Sequence, residues 1–229
     1  MILTERMLIV NQYGRIVAMT KHSAPIKTRR RRNDPVGVQA RILDRAAKLF
    51  QERGFHSTSM HDVMSAAGIS AGALHHHFPS KKSLGLAVLA RVVRPAVQEA
   101  WIDPILKTPS LEKGVASVFA EIVGGIVARG SVLGCPLNNL ALELSLTDPE
   151  YRQSIDAMFT NWRSVLAEKI ATTRGGARLD NKKRTAAANF IISAYSGAMN
   201  MAKATQSAAP LTDAAGLLSN WLQTQQFAS

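Results

Sequence analysis

TSMHDVMSAAGISAGALHHHFPSKKSL, residues 58 to 84, spells two short helices, the turn between them and the start of a third. Ser59 can cap a helix, with Asp62 three residues on in the capping-box position, and Met60, Val63, Met64 and Ala67 return at helical spacing. Gly68 falls where that helix must end, supplying the positive φ that other residues avoid. Ser70 caps a second helix in which Leu74, His77 and Phe78 share one face and leave Gly72, Ala73, His75 and His76 for the other. Pro79 closes it and Ser80 caps the third helix. Helix, tight glycine turn, helix is the DNA-binding helix-turn-helix arrangement, whose second helix lies in the major groove.

The surrounding composition is that of a globular chain. Of 229 residues 46% are hydrophobic and 19% charged, enough for a substantial core. No apolar run approaches the eighteen or so residues of a membrane span, and the N-terminal MLIV patch is too short for a secretory segment, so a cytoplasmic location with no membrane partner is expected. One cysteine, Cys135, excludes an intramolecular disulfide framework and a multi-cysteine metal site. Charge is segregated: 16 Lys and Arg stand against 5 Asp and Glu through Arg94, and 12 against 11 from Pro95 onward, so nearly all of the net +12 lies in the part holding the helix-turn-helix. That is the footprint expected of an end that faces phosphates.

Upstream, Val38, Ile42, Leu43, Ala46, Ala47, Leu49 and Phe50 recur at three- and four-residue steps, predicting a helix from about Val36 to Arg53 that Gly54 ends. Packed on the two short helices it makes a three-helix unit. Residues 1 to 35 are expected to be a flexible basic arm, because they show no sustained periodicity and carry Lys27 and Arg29 to Arg32 as a self-repelling run. The arm either grips phosphate and minor groove or is a solvated leader, with Met7 and Met19 as alternative starts.

From about Gln39 to Leu89 the sequence resembles the DNA-binding domain of the TetR family of transcriptional regulators. The helix-1 pattern, Gly54, Thr58, Ala67-Gly68-Ile69-Ser70, Gly72, Leu74, His77-Phe78 and Ser80-Lys81 carry the likeness in register. The resemblance implies a homodimer that reads a near-palindromic operator in double-stranded DNA, with a helical C-terminal domain that binds a small-molecule inducer. Two positions depart from the family's pattern: Ala71 stands where Lys is common and His75 where Tyr is common.

Chemistry and position together nominate the DNA-binding residues. Thr58, Ser59 and Ser70 offer hydroxyls and helix-start N–H groups to phosphate. Lys81 supplies a point charge, and Ala71, Gly72, Ala73, His75 and His76 are the candidates for reading bases. Gly72 costs about 1 kcal/mol in a helix relative to Ala, which makes sense where backbone must approach DNA. The triplet His75, His76, His77 is not a metal site, since neighbouring helical residues point about 100° apart. No metal or other cofactor is expected. No phosphate loop after a strand, nucleophile elbow or carboxylate–histidine cluster suggests an enzyme. A non-specific basic DNA-binding protein is the distant alternative.

Downstream of Ser80 the pattern predicts a helix to about Ala100 with a kink at Pro95, then a loop from Trp101 to Pro109. Further helices are expected from Leu111 to Arg129, from Pro136 to about Leu146, from Pro149 to Ile170, from Asn181 to Gln206 and from Leu211 to Phe227. No stretch shows sustained strand alternation, so the fold class is all-α, with about nine helices: the arm 1–35, a DNA-binding domain 36–82 and a ligand-binding and dimerisation domain 83–229. Small residues in the last pair (Ala186, Ala187, Ala188, Ala194, Ser196, Gly197, Ala198) suit close helix approach, and by the resemblance a four-helix dimer interface. Phe119, Val123, Asn138, Met158, Trp162, Tyr195, Met199 and Asn200 are ligand-pocket candidates, alternatively plain core. Cys135, at a helix start, is a candidate sensor of oxidants or electrophiles if the helix dipole lowers its thiol pKa, alternatively an inert buried cysteine. Gly134-Cys135-Pro136-Leu137 with Asn139-Leu140 and Glu143 also resembles a subgroup of TetR-type regulators.

Overall fold

Ile42, Leu43, Ala46, Leu49 and Phe50 return every three or four residues and are all buried, which is why α1 (Pro35–Arg53) forms and why it lies where it does. The computed structural model describes residues 7–10, 16–19 and 35–227. After α1, Gly54 turns the chain at φ 89, and α2 (Met60–Ala67) and α3 (Ala71–His77) come next. A long helix, α4, covers residues 81–107. Then come α5 (Leu111–Arg129), α6 (Pro136–Leu144), α7 (Pro149–Ala171), a single 3₁₀ turn at Gly176–Arg178, α8 (Asn181–Thr205) and α9 (Ala209–Thr224). The fold is all-α, with nine helices among the described residues.

Two local expectations are corrected. Within residues 1–35, Met7–Val10 and Ile16–Met19 pair as an antiparallel hairpin, in register Met7↔Met19 through Val10↔Ile16. Two four-residue runs rich in apolar and β-branched residues, five residues apart, are hairpin-forming even without polar alternation. The basic run Lys27 and Arg29–Arg32 lies outside the described residues. Second, there is no loop from Trp101 to Pro109: α4 continues to Lys107. A proline removes one i−4 hydrogen bond and its ring presses on the preceding turn. Here each proline is preceded by a wider π turn, Leu89–Val93 before Pro95 and Gln98–Ile102 before Pro104, in which Arg94 N–H donates to Leu89 O and Asp103 N–H to Gln98 O. The widened turns carry the helix past both rings.

Continuing α4 makes Trp101 a core residue rather than a loop residue. Its ring lies 4.9 Å from Trp162, 4.7 Å from Tyr195 and 5.8 Å from Phe119, joining α4, α5, α7 and α8. Aromatic contacts of this kind add about 0.5–1.5 kcal/mol each beyond their buried area. One hydrophobic cluster runs from Ile42 in α1 to Phe227 after α9, so the three N-terminal helices rest on the rest of the molecule without a break in the core.

Candidate nucleic-acid interface

The turn between α2 and α3 has the geometry its sequence specifies. Ser59 Oγ accepts from Asp62 N–H at 3.0 Å while Asp62 Oδ2 accepts from Ser59 N–H at 2.8 Å, a reciprocal capping box. Gly68 sits at φ 61 and donates to Met64 O and Ser65 O. Ser70 Oγ accepts from Ala73 N–H at 3.2 Å and starts α3. Leu74 and Phe78 point into the core, His77 is half-buried beside Phe78, and Ala71, Gly72, His75 and His76 are exposed, with Ala73 between the two classes. Among the described residues a Cβ on Gly72 would meet no atom within 4 Å, so none of them requires glycine there.

Two of the residues expected to hold phosphate are occupied otherwise. Thr58 is 1% exposed and its hydroxyl donates to Gly54 O at 2.8 Å, closing the turn after α1. The Ser59 hydroxyl both accepts from Asp62 N–H and donates to the Asp62 carboxylate, which is held below its ordinary range by those Ser59 hydrogen bonds and places negative charge where a phosphate would approach. Both residues therefore shape the unit rather than offer a hydroxyl. Ser70 uses only its lone pair in capping, leaving its O–H proton to donate. Lys81 lies with Nζ 3.2 Å from His56 O and 4.4 Å from the centre of the Phe55 ring, and burial pulls its pKa down. An ammonium so placed still has N–H donors pointing elsewhere.

Residues that the sequence pattern passed over bind this unit to the body. Glu143 of α6 accepts from Phe55 N–H at 3.1 Å through Oε1 and from His56 N–H at 3.0 Å through Oε2. Gln51 Nε2 donates to Leu133 O at 3.1 Å and Gly134 O at 2.7 Å. Tyr151 donates to Lys82 O at 3.2 Å, and Lys82 Nζ lies 2.7 Å from both Asp148 and Glu150. Only for Glu143 was there a signal in the sequence, its place in the GCPL-to-Glu pattern, and that signal did not say what it touches.

A cavity of about 660 Å³ opens between α1 and the body. Ala47, Phe50 and Gln51 of α1, Val92 and Trp101 of α4, Ile122 of α5 and Leu133 to Pro136, which run into the first residue of α6, are on its walls. Of the sequence-nominated pocket residues, Trp162, Tyr195 and Met199 line it, as does Cys135. The others lie elsewhere. Phe119 is core packed on Trp101, Asn138 is buried with Oδ1 accepting from Ser196 Oγ at 3.4 Å, Met158 borders only a small cleft beside Arg94, Val123 is half-buried off the cavity wall and Asn200 faces outward on α8. Helical spacing places residues on a helix but does not say which helix faces them. Cys135 is buried, and burial pushes its thiol up, outweighing the pull of the Asn138 and Leu137 N–H groups at the start of α6, as the buried-cysteine alternative expects. Among the described residues no group of three His, Cys, Asp or Glu side chains is placed to hold a metal ion, and no helix is long and apolar enough to cross a membrane.

A short exposed helix presented on a three-helix unit after a tight glycine turn, carried by an all-helical body with a cavity, defines a helix-turn-helix protein. Residues 42–88 match the family profile described as bacterial regulatory proteins, tetR family, and residues 112–216 match the C-terminal domain of LmrA/YxaF-like transcriptional regulators. The chain belongs to the TetR family and is a DNA-binding transcriptional regulator. An uncharacterised HTH-type transcriptional regulator from the lacX 3′ region of Lactococcus lactis subsp. lactis is 27% identical over 74% of this chain and 85% of its own length. The HTH-type transcriptional repressor DhaR of Mycobacterium sp. (strain GP1) is 23% identical over 76% of this chain and 86% of its own. A TetR transcriptional regulator from Chloroflexus aurantiacus J-10-FL has the same fold, with TM-score 0.70, 24% identity, and coverage of 86% of this chain and 100% of its own.

Proposed function

We propose that the protein is a homodimeric repressor that holds a near-palindromic operator and leaves it when a small-molecule inducer enters the cavity between α1 and the body. The observation that carries this reading is the cavity itself: about 660 Å³ of mainly apolar space, the size range of small-molecule sites, with one wall formed by α1 of the DNA-binding unit. An occupant touching that wall has a different free energy in each orientation of the unit, which is the condition for a ligand to change DNA affinity, and operator binding then opposes inducer binding by the same factor.

Residues 36–82 form the reading domain in this proposal and 83–229 the ligand-binding and dimerisation domain. Helix α4 begins at their boundary. Gly72, Ala73, His75 and His76, with Ala71, approach base edges, while Ser70 and Lys81 fix the register on phosphate. The dimer surface is the outer face of α8 and α9. Phe190 is 49% exposed, Met201 61% and Leu217 71%, Phe190 meets Trp221 edge-on at 4.7 Å, and a Cβ on Gly197 of α8 or Gly216 of α9 would meet no described atom within 4 Å. Of the small-residue stripe, Ala187, Ala188 and Ala198 face inward and Ala186 and Gly197 outward, so only part of it serves contact between copies. The raised thiol of the enclosed Cys135 weighs against redox or electrophile sensing.

A thermal-shift screen of small molecules, followed by gel shift on a duplex enriched from a random library by the protein, tests the reading. A hit is expected to raise the melting temperature and to release the duplex. Release that persists when Ala47→Trp fills the cavity would place the inducer elsewhere. Sedimentation at micromolar concentration is expected to give a dimer; a monomer ends the mechanism.

A further inference from the structure

The turn joining α1 to α2 is gripped from two sides. The Glu143 carboxylate takes both the Phe55 and the His56 N–H, one per oxygen, and the His56 ring nitrogen lies 3.2 Å from the backbone carbonyl of the same Glu143. On the other side Lys81 Nζ donates to His56 O and covers the Phe55 ring. Gly54, at φ 89, lets the carboxylate come this close: a Cβ there would meet Glu143 Oε1 at 3.0 Å. Charge-assisted bonds to two successive N–H groups fix orientation as well as distance. The gripped turn leads directly into α2, and Thr58, two residues before that helix, closes the same turn with its hydroxyl on Gly54 O.

The same short helix meets the cavity at its other end. Leu133, Gly134, Cys135 and Pro136, which lead into α6, lie on the cavity wall, and Leu133 O and Gly134 O take the two bonds from Gln51. Asn139 ties this start further, donating to Leu133 O at 2.9 Å and accepting from Lys203 Nζ of α8 at 3.1 Å. Six residues of helix, 137–142, a rise of about 10 Å from Pro136 to Glu143, therefore separate a segment that borders the cavity from a carboxylate that holds the root of the reading helices.

We propose that Glu143 is the positioning residue of the DNA-reading helices: α6 is a rigid link whose Glu143 end sets the angle of α2 and α3, and whose Leu133–Pro136 end registers what fills the cavity. This rests on the reading that α3 contacts DNA. In Glu143→Gln a single amide oxygen faces two N–H groups, and the amide NH2 opposes one of them, so one bond is replaced by a donor–donor contact.

The experiment compares wild type, Glu143→Gln, Glu143→Asp and His76→Ala on a duplex enriched from a random library by the wild-type protein and on a random-sequence duplex at the same salt. Amide hydrogen exchange is measured in parallel. For Glu143→Gln, affinity for the enriched duplex is expected to fall at least tenfold while affinity for the random duplex changes less than twofold. Exchange at Phe55 and His56 should quicken at least tenfold with α7 and α8 unaltered. Glu143→Asp, a carboxylate one methylene shorter, should fall between, and it is judged by the same criteria if the Gln variant does not fold. Unaltered specific affinity, or equal loss toward both duplexes, overturns the proposal. His76→Ala separates the two layers of inference. If it loses specific affinity and Glu143→Gln does not, the Glu143 assignment alone is refuted; if His76→Ala also loses nothing, the reading of α3 fails.

Discussion

The outer face of α3 and the joint where α4 meets α1 and α7 are each built around a glycine, and they use it in opposite ways. A Cβ on Gly72 would enter open space, whereas one on Gly85 would come within 2.5 Å of Tyr151 Oη and 2.8 Å of Phe55 Cε2. At the joint the missing side chain is explained by its surroundings: the Phe55 ring 5.6 Å from Tyr151, the Tyr151 hydroxyl on Lys82 O, and Lys82 between two carboxylates. On α3 none of the described residues explains the absence; in the proposed function the surface that comes close there is DNA. Intramolecular energetics therefore decides the joint, and in the proposed function intermolecular fit decides the outer face.

Substitutions in the two places should accordingly separate stability from binding. The largest effect is expected from Gly85→Val, which forces Tyr151 and Phe55 apart. Overpacking of this kind costs about 2–3 kcal/mol, read as a lowered urea midpoint with an unchanged slope. Gly72→Ala should do the reverse. It gains up to about 1 kcal/mol of helix propensity and loses at least tenfold in specific DNA affinity. A variant that is both more stable and fully active would remove the argument that α3 approaches DNA at that point. Tyr151→Phe deletes one hydrogen bond across the joint and should cost about 1 kcal/mol with the enriched-duplex affinity close to wild type.

The smallest effect concerns the exposed ion pair. Lys82 holds the Asp148 carboxyl below its usual range through their hydrogen bond, and Asp148 also caps α7 by accepting from Glu150 N–H at 2.8 Å. A carboxyl whose folded pKa is depressed adds stability that is fully present above its unfolded value, near 3.8, and is lost as pH falls through the lower folded value. Lys82→Met should therefore shave a little off the melting temperature at pH 7, with a difference that shrinks below about pH 4 and also shrinks in high salt. A difference independent of both would show that Lys82 acts through its methylenes alone.

How much of this was legible in the sequence depends on the range of each interaction. Ser59 with Asp62, Gly68, Ser70 and Pro79 act on neighbours within four residues, so the caps, the turn and the exposed set Ala71, Gly72, His75 and His76 could be placed from local chemistry. Pro104 was misleading for the same reason. A proline signals a break locally, and only the preceding π turn, stabilised by Trp101 packing on Trp162 and Tyr195, carries the helix past it. Thr58 and Ser59 carry hydroxyls of the right type whose protons go to Gly54 O and the Asp62 carboxylate instead of standing free.

By itself the sequence determined the helical class, the helix-turn-helix, the segregation of charge toward the N-terminal part and the small-residue content of the last two helices, because periodicity, capping and charge are properties of short stretches. Tertiary structure alone decided which residues border the cavity, that Cys135 is enclosed and its thiol pushed up, and that Glu143 reaches a turn 87 residues earlier in the chain. Those depend on which helix faces which, and the physical reason is that an apolar stripe specifies burial without naming its partner. Helices α2 and α3 are thus written in the local sequence, and their angle on the body is set by contacts that only folding brings together.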